Sequence, residues 1–280
     1  MLTISAFADE ISPDPKIQID VLKASAVNHI EFRSILGTNV LALTDLQINE
    51  FQALLKANNF GLSAIGSPIG KQKIDEPFGP HLEKFQRAIN LAKKFGTRNI
   101  RVFSFYPPDN FDGNWAPYRT EVMSRLDQLC ERAEQHRVRL VHENEHRIYG
   151  DAPDRVVDLM THLRASFGPE VVGAAYDAAN FVFCGYDPWQ GWLKSREWVV
   201  HLHIKDWKAG APHGSIPGEG EGRIRESTAD AVQRGYTGFA TMEPHLLGGG
   251  PTGGVTGPDL FPKAIAAFKK ICDAIGATYQ

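Results

Sequence analysis

Short apolar runs alternate with longer segments of helical spacing along the whole chain. The runs are rich in Val, Ile, Phe and Ala and have the length of buried strands. They predict eight strands, at Thr3–Ala8, His29–Arg33, Leu62–Ser67, Asn99–Phe105, Val138–Glu143, Val172–Asp177, Val199–Lys205 and Phe239–Glu243. Between the strands, apolar residues recur three and four positions apart, which is the spacing of the buried face of a helix. This pattern predicts helices through Leu82–Ala92, Val122–Ala133 and Phe261–Ile275.

The repeat of one strand and one helix predicts the fold class. Eight alternating units indicate an α/β protein with a parallel sheet. Over 280 residues they favour closure into a (β/α)8 TIM barrel over an open doubly wound sheet. No low-complexity linker divides the chain, so we expect residues 1–280 to form a single domain.

Composition and charge restrict which binding partners and which cellular location are expected for the protein. The formal net charge is −3 without a cluster of Lys or Arg, which argues against a nucleic-acid partner. No apolar run approaches the roughly 18 residues that a membrane span needs. The first residues contain Asp9 and Glu10 and no positively charged leader, so they indicate a strand of the fold and not a signal peptide. The three cysteines are far apart, and we therefore expect a cytoplasmic protein.

Polar residues at the ends of the last four predicted strands are candidates for a metal site. In a TIM barrel, functional residues gather at the carboxyl ends of the strands. An acid at one strand end is usually a salt bridge or a helix cap, but donors on four consecutive strands argue against coincidence. Three carboxylates and one imidazole at one point would repel one another without a cation, and this set suits Mn²⁺ or Mg²⁺, with Zn²⁺ also compatible. The strand ends offer Glu143 or Glu145, Asp177, His201 or His203, and Glu243 as donors to this one divalent ion.

The seventh predicted strand shows which side chains face the barrel axis. Leu202 and Ile204 alternate with His201, His203 and Lys205. Alternate residues of a strand point to opposite faces, so we expect the apolar pair to contact helices and the polar residues to face inward.

These strand-end residues resemble the xylose-isomerase-like TIM-barrel superfamily, which includes sugar phosphate isomerases and epimerases. The resemblance covers essentially the whole chain and is to the superfamily, not to one enzyme. It is carried by Glu143-Asn144, Asp177 with Asn180, His201-x-His203-x-Lys205-Asp206 and Glu243-Pro244-His245. It implies that Glu143, Asp177, His203 and Glu243 bind the metal and that the two glutamates exchange protons on opposite faces of the substrate. The chain departs from the epimerase pattern at Asn180, where that pattern has a substrate-binding His, so the ketohexose specificity of that branch is not expected here.

The expected activity is that of a divalent-metal-dependent sugar isomerase or epimerase. Glu143 and Glu243 would move a proton through an enediolate whose charge the ion stabilises. The alternative is a metal-dependent dehydratase or lyase that acts on a keto-sugar or inositol derivative. An apurinic endonuclease would need a basic DNA face, which the charge of −3 disfavours, and a non-catalytic sugar-binding barrel is the remaining class. The expected partner is a small sugar or sugar-derived molecule, and a homo-oligomer is compatible with the sequence.

Other polar residues are candidates for contact with the substrate. Glu145, two residues beyond Glu143, is also an alternative metal ligand. Lys205 could stabilise an oxyanion or form an ion pair with a neighbouring acid, and Lys71 could equally be a solvated loop residue. Arg223 ends a glycine-rich segment that we interpret as a mobile lid. The complete set of predicted substrate contacts is Lys205, His201, Asn180, Glu145, Arg223 and Lys71, and Glu31, Arg33 and Arg101 are weaker candidates for contact with hydroxyl groups.

Overall fold

Eight parallel strands pair in chain order, and the last pairs with the first to close a barrel. This computed structural model describes residues 1–250 and 253–280. The strands are β1 (Thr3–Ala6), β2 (His29–Phe32), β3 (Gly61–Ile69), β4 (Asn99–Val102), β5 (Arg139–Glu143), β6 (Val172–Asp177), β7 (Val199–Ile204) and β8 (Phe239–Met242). The predicted fold class is confirmed: the protein is a single-domain (β/α)8 TIM barrel.

Helices connect the strands. They are α1 (Pro15–Ala24), α2 (Asp45–Ala57), α3 (Gly79–Phe95), α4 (Arg119–His136), α5 (Pro153–Ser166), α6 (Ala178–Phe183), α7 (Pro188–Ser195), α8 (Ile224–Gln233) and α9 (Phe261–Ala274). Local sequence sets several of their ends. Thr44 and Gln47 form a reciprocal capping box at the start of α2, and Gly96 ends α3 with a φ of +74° that favours glycine. Within the described ranges, no helix combines the length and apolar character needed to cross a bilayer.

The predicted strands are all present, and some end earlier than predicted. β1 stops at Ala6 because Ala8–Glu10 turn into a 3-10 helix. β4 stops at Val102, and Phe105, which the prediction placed in the strand, has a φ of +69°. The chain therefore leaves the barrel sooner at these strands and supplies longer loops at its carboxyl end.

The alternation predicted for β7 is confirmed. Leu202 and Ile204 belong to the hydrophobic core, while His201 and His203 are buried among polar side chains. His203 is in register with Asp177 of β6. The register of neighbouring strands therefore places donor side chains at the same height inside the barrel.

Candidate functional site

Donor side chains from four consecutive strands meet at the carboxyl end of the barrel. Glu143 ends β5, Asp177 ends β6, His203 lies in β7 and Glu243 directly follows β8. One ligand atom from each lies within 4.8 Å of every other, and the four residues are at most 3% exposed. The structure thus brings together the four residues predicted from the sequence, and we call them the donor group.

The contacts inside the donor group centre on His203. Its Nδ1 lies 3.2 Å from Glu143 Oε1 and 3.6 Å from Glu243 Oε2. Within the part of the chain that the structure describes, His203 Nδ1 has no hydrogen-bond partner of normal geometry, although two carboxylates lie beside it. Buried polar atoms without such partners are costly, so this cluster favours an occupant that all of them can contact.

The donor set fits a divalent cation. Ligand atoms about 2.0–2.2 Å from one ion can lie roughly 4 Å apart, so the observed spacing needs only small adjustments of the side chains. Three carboxylates and one imidazole form an oxygen-rich set, which suits a hard cation. The residues present are therefore compatible with Mn²⁺ or Mg²⁺, and Zn²⁺ accepts the same donors.

Asp177 is the carboxylate of the donor group whose ionised form is least stabilised by its surroundings. Lys205 Nζ lies 2.6 Å from Asp177 Oδ2. Burial, assisted by Glu143 and Glu243, nevertheless outweighs Lys205 and raises the pKa of Asp177 to about 7. A further positive charge in this space would stabilise the ionised carboxylate.

Each glutamate of the donor group is paired with an arginine. Arg101 Nη1 lies 3.2 Å from Glu143 Oε2, and Arg33 Nη1 lies 2.7 Å from Glu243 Oε1. Burial opposes ionisation of Glu143, but His203 and Arg101 outweigh it and lower the pKa to about 2. Burial likewise opposes ionisation of Glu243, and Lys205, His245 and Arg33 hold its pKa well below the ordinary value. Both glutamates are therefore ionised carboxylates.

Asp9 and Glu10 belong to this polar network, although sequence reasoning did not include them in the site. Arg33 Nε donates to Asp9 Oδ2 at 2.8 Å, and His245 Nε2 lies 3.1 Å from Glu10 Oε1. Both acids follow the first strand. The strand-end rule that selected Glu243 would have found them if it had been applied to β1 as well.

His201 lies one layer below the donor group. Its Nε2 is 2.8 Å from both Glu31 Oε2 and Thr241 Oγ1, and the residue does not line the cavity described below. Glu31 Oε2 also lies 3.4 Å from His203 Nε2. His201 therefore contacts the supports of the donor group, and the predicted contact with substrate is not available to it in this structure.

The sequence matches a known family over most of its length. Residues 19–271 match the xylose isomerase-like TIM barrel family. The chain belongs to this family. The resemblance inferred from the strand-end motifs is confirmed.

Proteins similar to this xylose isomerase-like barrel include an epimerase and an epimerase-like protein. Fructoselysine 3-epimerase of Shigella flexneri is 26% identical over 172 residues, which are 58% of this chain and 58% of that protein. A xylose isomerase-like TIM barrel protein from Mycobacterium smegmatis in complex with magnesium has a TM-score of 0.74 at 17% identity, with 99% of this chain and 97% of that chain covered. A D-tagatose 3-epimerase-like protein has a TM-score of 0.76 at 14% identity, with 98% of each chain covered. At these identities the two structures show the shared fold.

A cavity of about 1000 Å³ opens over the donor group of this xylose isomerase-like barrel. Four of the predicted substrate contacts line it, namely Lys205, Asn180, Glu145 and Lys71. Asn180 Nδ2 donates to Glu143 Oε1 at 3.2 Å, and Lys71 Nζ donates to Glu145 Oε2 at 3.1 Å. Glu145 lies beyond the end of β5 and outside the donor group, so the geometry favours Glu143 as the metal ligand.

Arg223 is not brought to the cavity. It is exposed, its nearest acidic partner is Glu226 at 3.7 Å, and it does not line the cavity. The glycine-rich segment before it is tied to the barrel by the buried carboxylate of Asp206, which accepts backbone hydrogen bonds from Gly218, Gly220 and Gly222 at 2.8–3.0 Å. These contacts argue against the mobile lid expected from its composition.

Proposed function

We propose that this protein is a divalent-metal-dependent isomerase or epimerase that acts on a sugar or keto-sugar. The observation that carries the proposal is the convergence of Glu143, Asp177, His203 and Glu243 beneath one cavity. The similarity to fructoselysine 3-epimerase supports a sugar as the substrate. Membership of the xylose isomerase-like family supports an enzymatic role for the barrel.

The donor group would hold one ion, with Mn²⁺ or Mg²⁺ favoured. When bound, the ion supplies Lewis-acid stabilisation for negative charge on a substrate oxygen. Asp177 and His203 would mainly hold it, and both are buried within the donor group. The magnesium complex of the Mycobacterium smegmatis protein supports a hard cation in this fold.

Glu143 and Glu243 would move the proton. They approach the shared space from β5 and β8, so they can reach a substrate from different sides. One carboxylate takes the proton from carbon, and the carboxylic acid so formed returns it to the neighbouring carbon. Return to the opposite face instead requires the other glutamate to take up a proton from solvent first. Arg101 and Arg33 fix the two carboxylates, and Asn180 and Lys205 are placed to orient substrate hydroxyl groups.

Solvent exchange tests this proposal directly. The protein is stripped of metal, reloaded with Mn²⁺ and incubated with a sugar panel in D₂O, and deuterium on carbon is measured by NMR. We expect exchange by the wild type and a loss of about 10²-fold or more in Glu143→Gln and Glu243→Gln. Product analysis also separates an isomerase, which retains all atoms, from a dehydratase, which releases water.

Glu219→Gln provides the matched control, because Glu219 is exposed and does not line the cavity. This variant should retain the wild-type rate. Full exchange by both glutamate variants would show that the proposed acid/base pair is wrong, and absence of exchange by the wild type across the panel would overturn the catalytic proposal.

A further inference from the structure

The cavity extends well beyond the donor group. Its floor includes Arg33, Asn180, Lys205 and Glu243. Its volume of about 1000 Å³ is at the upper end of the roughly 300–1,000 Å³ of pockets that hold drug-sized ligands. A single sugar ring over the donor group would cover the floor and leave the outer part of the cavity open.

Phe183 and Trp207 form an aromatic edge in this outer part. Their rings meet edge to face, with centroids 5.6 Å apart, and both residues line the cavity. Phe183 comes three residues after Asn180 in α6, so the two side chains share one face of the helix. Phe183 is 52% exposed, and covering an exposed aromatic ring with an apolar face is favourable.

Trp207 also offers an unused hydrogen-bond donor. The residue is 8% exposed, and its indole Nε1 has no hydrogen-bond partner in residues 1–250 and 253–280. A buried donor without an acceptor is costly, so a small shift of the indole ring that brings Nε1 to a ligand oxygen would be favourable. A ring with an apolar face and an oxygen atom at its edge meets both requirements of the Phe183 and Trp207 edge.

The charges of the outer cavity disfavour a phosphate as the occupant. Lys71 is paired with Glu145 at 3.1 Å, and Lys73 is paired with Asp109 at 2.6 Å. Arg147 lines the cavity as well, but it is an exposed residue. The glycine-rich segment, whose backbone N–H groups could otherwise hold a phosphate, donates them to the carboxylate of Asp206.

We infer that the substrate is a keto-sugar that carries a neutral second ring, which lies against Phe183 and Trp207. For the reacting end of the substrate this inference rests on the proposed function. For the second ring it rests on the size of the cavity, the exposed ring of Phe183 and the unpartnered Nε1 of Trp207.

Three sugars with the same carbonyl end test the inference. Titration calorimetry on the Mn²⁺-loaded protein compares D-fructose, fructose 6-phosphate and isomaltulose, which carries a glucosyl ring on the oxygen that is phosphorylated in fructose 6-phosphate. We expect isomaltulose to bind about tenfold more tightly than the other two, as one aromatic contact allows. A fourth ligand, 6-O-benzyl-D-fructose, distinguishes an aromatic ring from a sugar ring at this position.

Two aromatic variants locate the effect. Phe183→Ala should remove the advantage of the ring-bearing ligands and leave the affinity for D-fructose unchanged. Tyr186→Ala is the matched control, because Tyr186 is 37% exposed and does not line the cavity, and it should retain the advantage. Circular dichroism and thermal melting of both variants check that they are folded.

The inference is wrong if neither ring-bearing ligand binds more tightly than D-fructose, if fructose 6-phosphate binds most tightly, or if no ligand binds. It is also wrong if Phe183→Ala retains the full advantage. These outcomes concern binding alone. Solvent exchange by the wild type decides the proposed proton transfer separately, so failure of one proposal is distinguishable from failure of the other.

Discussion

Glu31 is placed to decide which nitrogen of His203 faces the donor group. Its Oε2 lies 3.4 Å from His203 Nε2 and 2.8 Å from His201 Nε2. A carboxylate accepts hydrogen bonds only, so its position favours hydrogen on Nε2 and leaves Nδ1 to face Glu143 and Glu243. Such partners of a ligating histidine hold the ring in place and raise its basicity.

We predict that Glu31→Gln weakens metal binding about 10- to 100-fold, because the amide supports His203 less well than the carboxylate. Calorimetric titration of the metal-free variant with Mn²⁺ measures the effect independently of catalysis. Glu145→Gln is the control, because Glu145 lines the cavity outside the donor group. The affinity of this variant for Mn²⁺ should stay within about twofold of the wild type. Equal affinities for all three proteins would contradict a positioning role for Glu31.

At the scale of single residues, sequence reasoning identified the donor group and missed part of what surrounds it. Strand ends and alternation locate a side chain relative to its own strand, which is sufficient for Asp177 and His203. The partner of Glu243 is different, because Arg33 is 210 positions away in the chain. No local pattern records such a pair, since barrel closure alone brings the two side chains together.

The loop after β7 is organised by a buried carboxylate. Asp206 is 1% exposed and accepts backbone hydrogen bonds from Gly218, Gly220, Gly222 and its neighbour Trp207. A Cβ added at Gly220 would lie 2.3 Å from Asp206 Oδ1, so glycine permits this close approach. The carboxylate therefore fixes a loop whose composition alone indicates flexibility.

We predict that Asp206→Asn destabilises the fold by on the order of 2 kcal/mol. The amide NH₂ replaces an oxygen that accepts two backbone N–H groups, and those donors are left without an acceptor. Urea denaturation measures the loss, and hydrogen exchange should show faster exchange in the loop 218–222. Asp109→Asn is the control, since the Asp109 side chain is 89% exposed, and it should change stability by less than about 0.5 kcal/mol. Unchanged exchange in Asp206→Asn would contradict the anchoring role.

At the scale of an element, this loop shows where composition misleads. Gly-rich segments are flexible when no other group binds their backbone. The sequence offered no sign that Asp206 would accept hydrogen bonds from the backbone of this one. The position of Asp206 at the end of β7 was visible, but the direction of its side chain depends on where the following chain returns. The strands themselves were predictable, because alternation and apolar runs are local properties.

For the whole molecule, we predict that a bound divalent ion stabilises the fold. An ion that binds the native state alone contributes about 2.7 kcal/mol at a concentration 100-fold above its dissociation constant. For a barrel of this size the midpoint of thermal unfolding should rise by roughly 5 °C or more with Mn²⁺ and return with EDTA. Differential scanning calorimetry measures both steps.

The donor group provides the control for this effect. Asp177→Asn removes one charged ligand, and its midpoint should respond much less to Mn²⁺. An unchanged midpoint in the wild type at millimolar Mn²⁺, or an equal rise in the variant, would show that the four residues do not share an ion.

The contact of Arg33 with Asp9 and Glu243 has a consequence for when the proposed ion would bind during folding. Asp9 follows β1 and Arg33 follows β2, in the first two βα units, and Glu243 follows β8 in the last. A partly folded chain that has assembled only its middle strands already brings Glu143 and Asp177 together. It still lacks the ion pairs of Arg33 with Asp9 and Glu243. In a refolding experiment, Mn²⁺ should therefore bind at the same time as β1 pairs with β8. The binding signal would then report the rate of that final step.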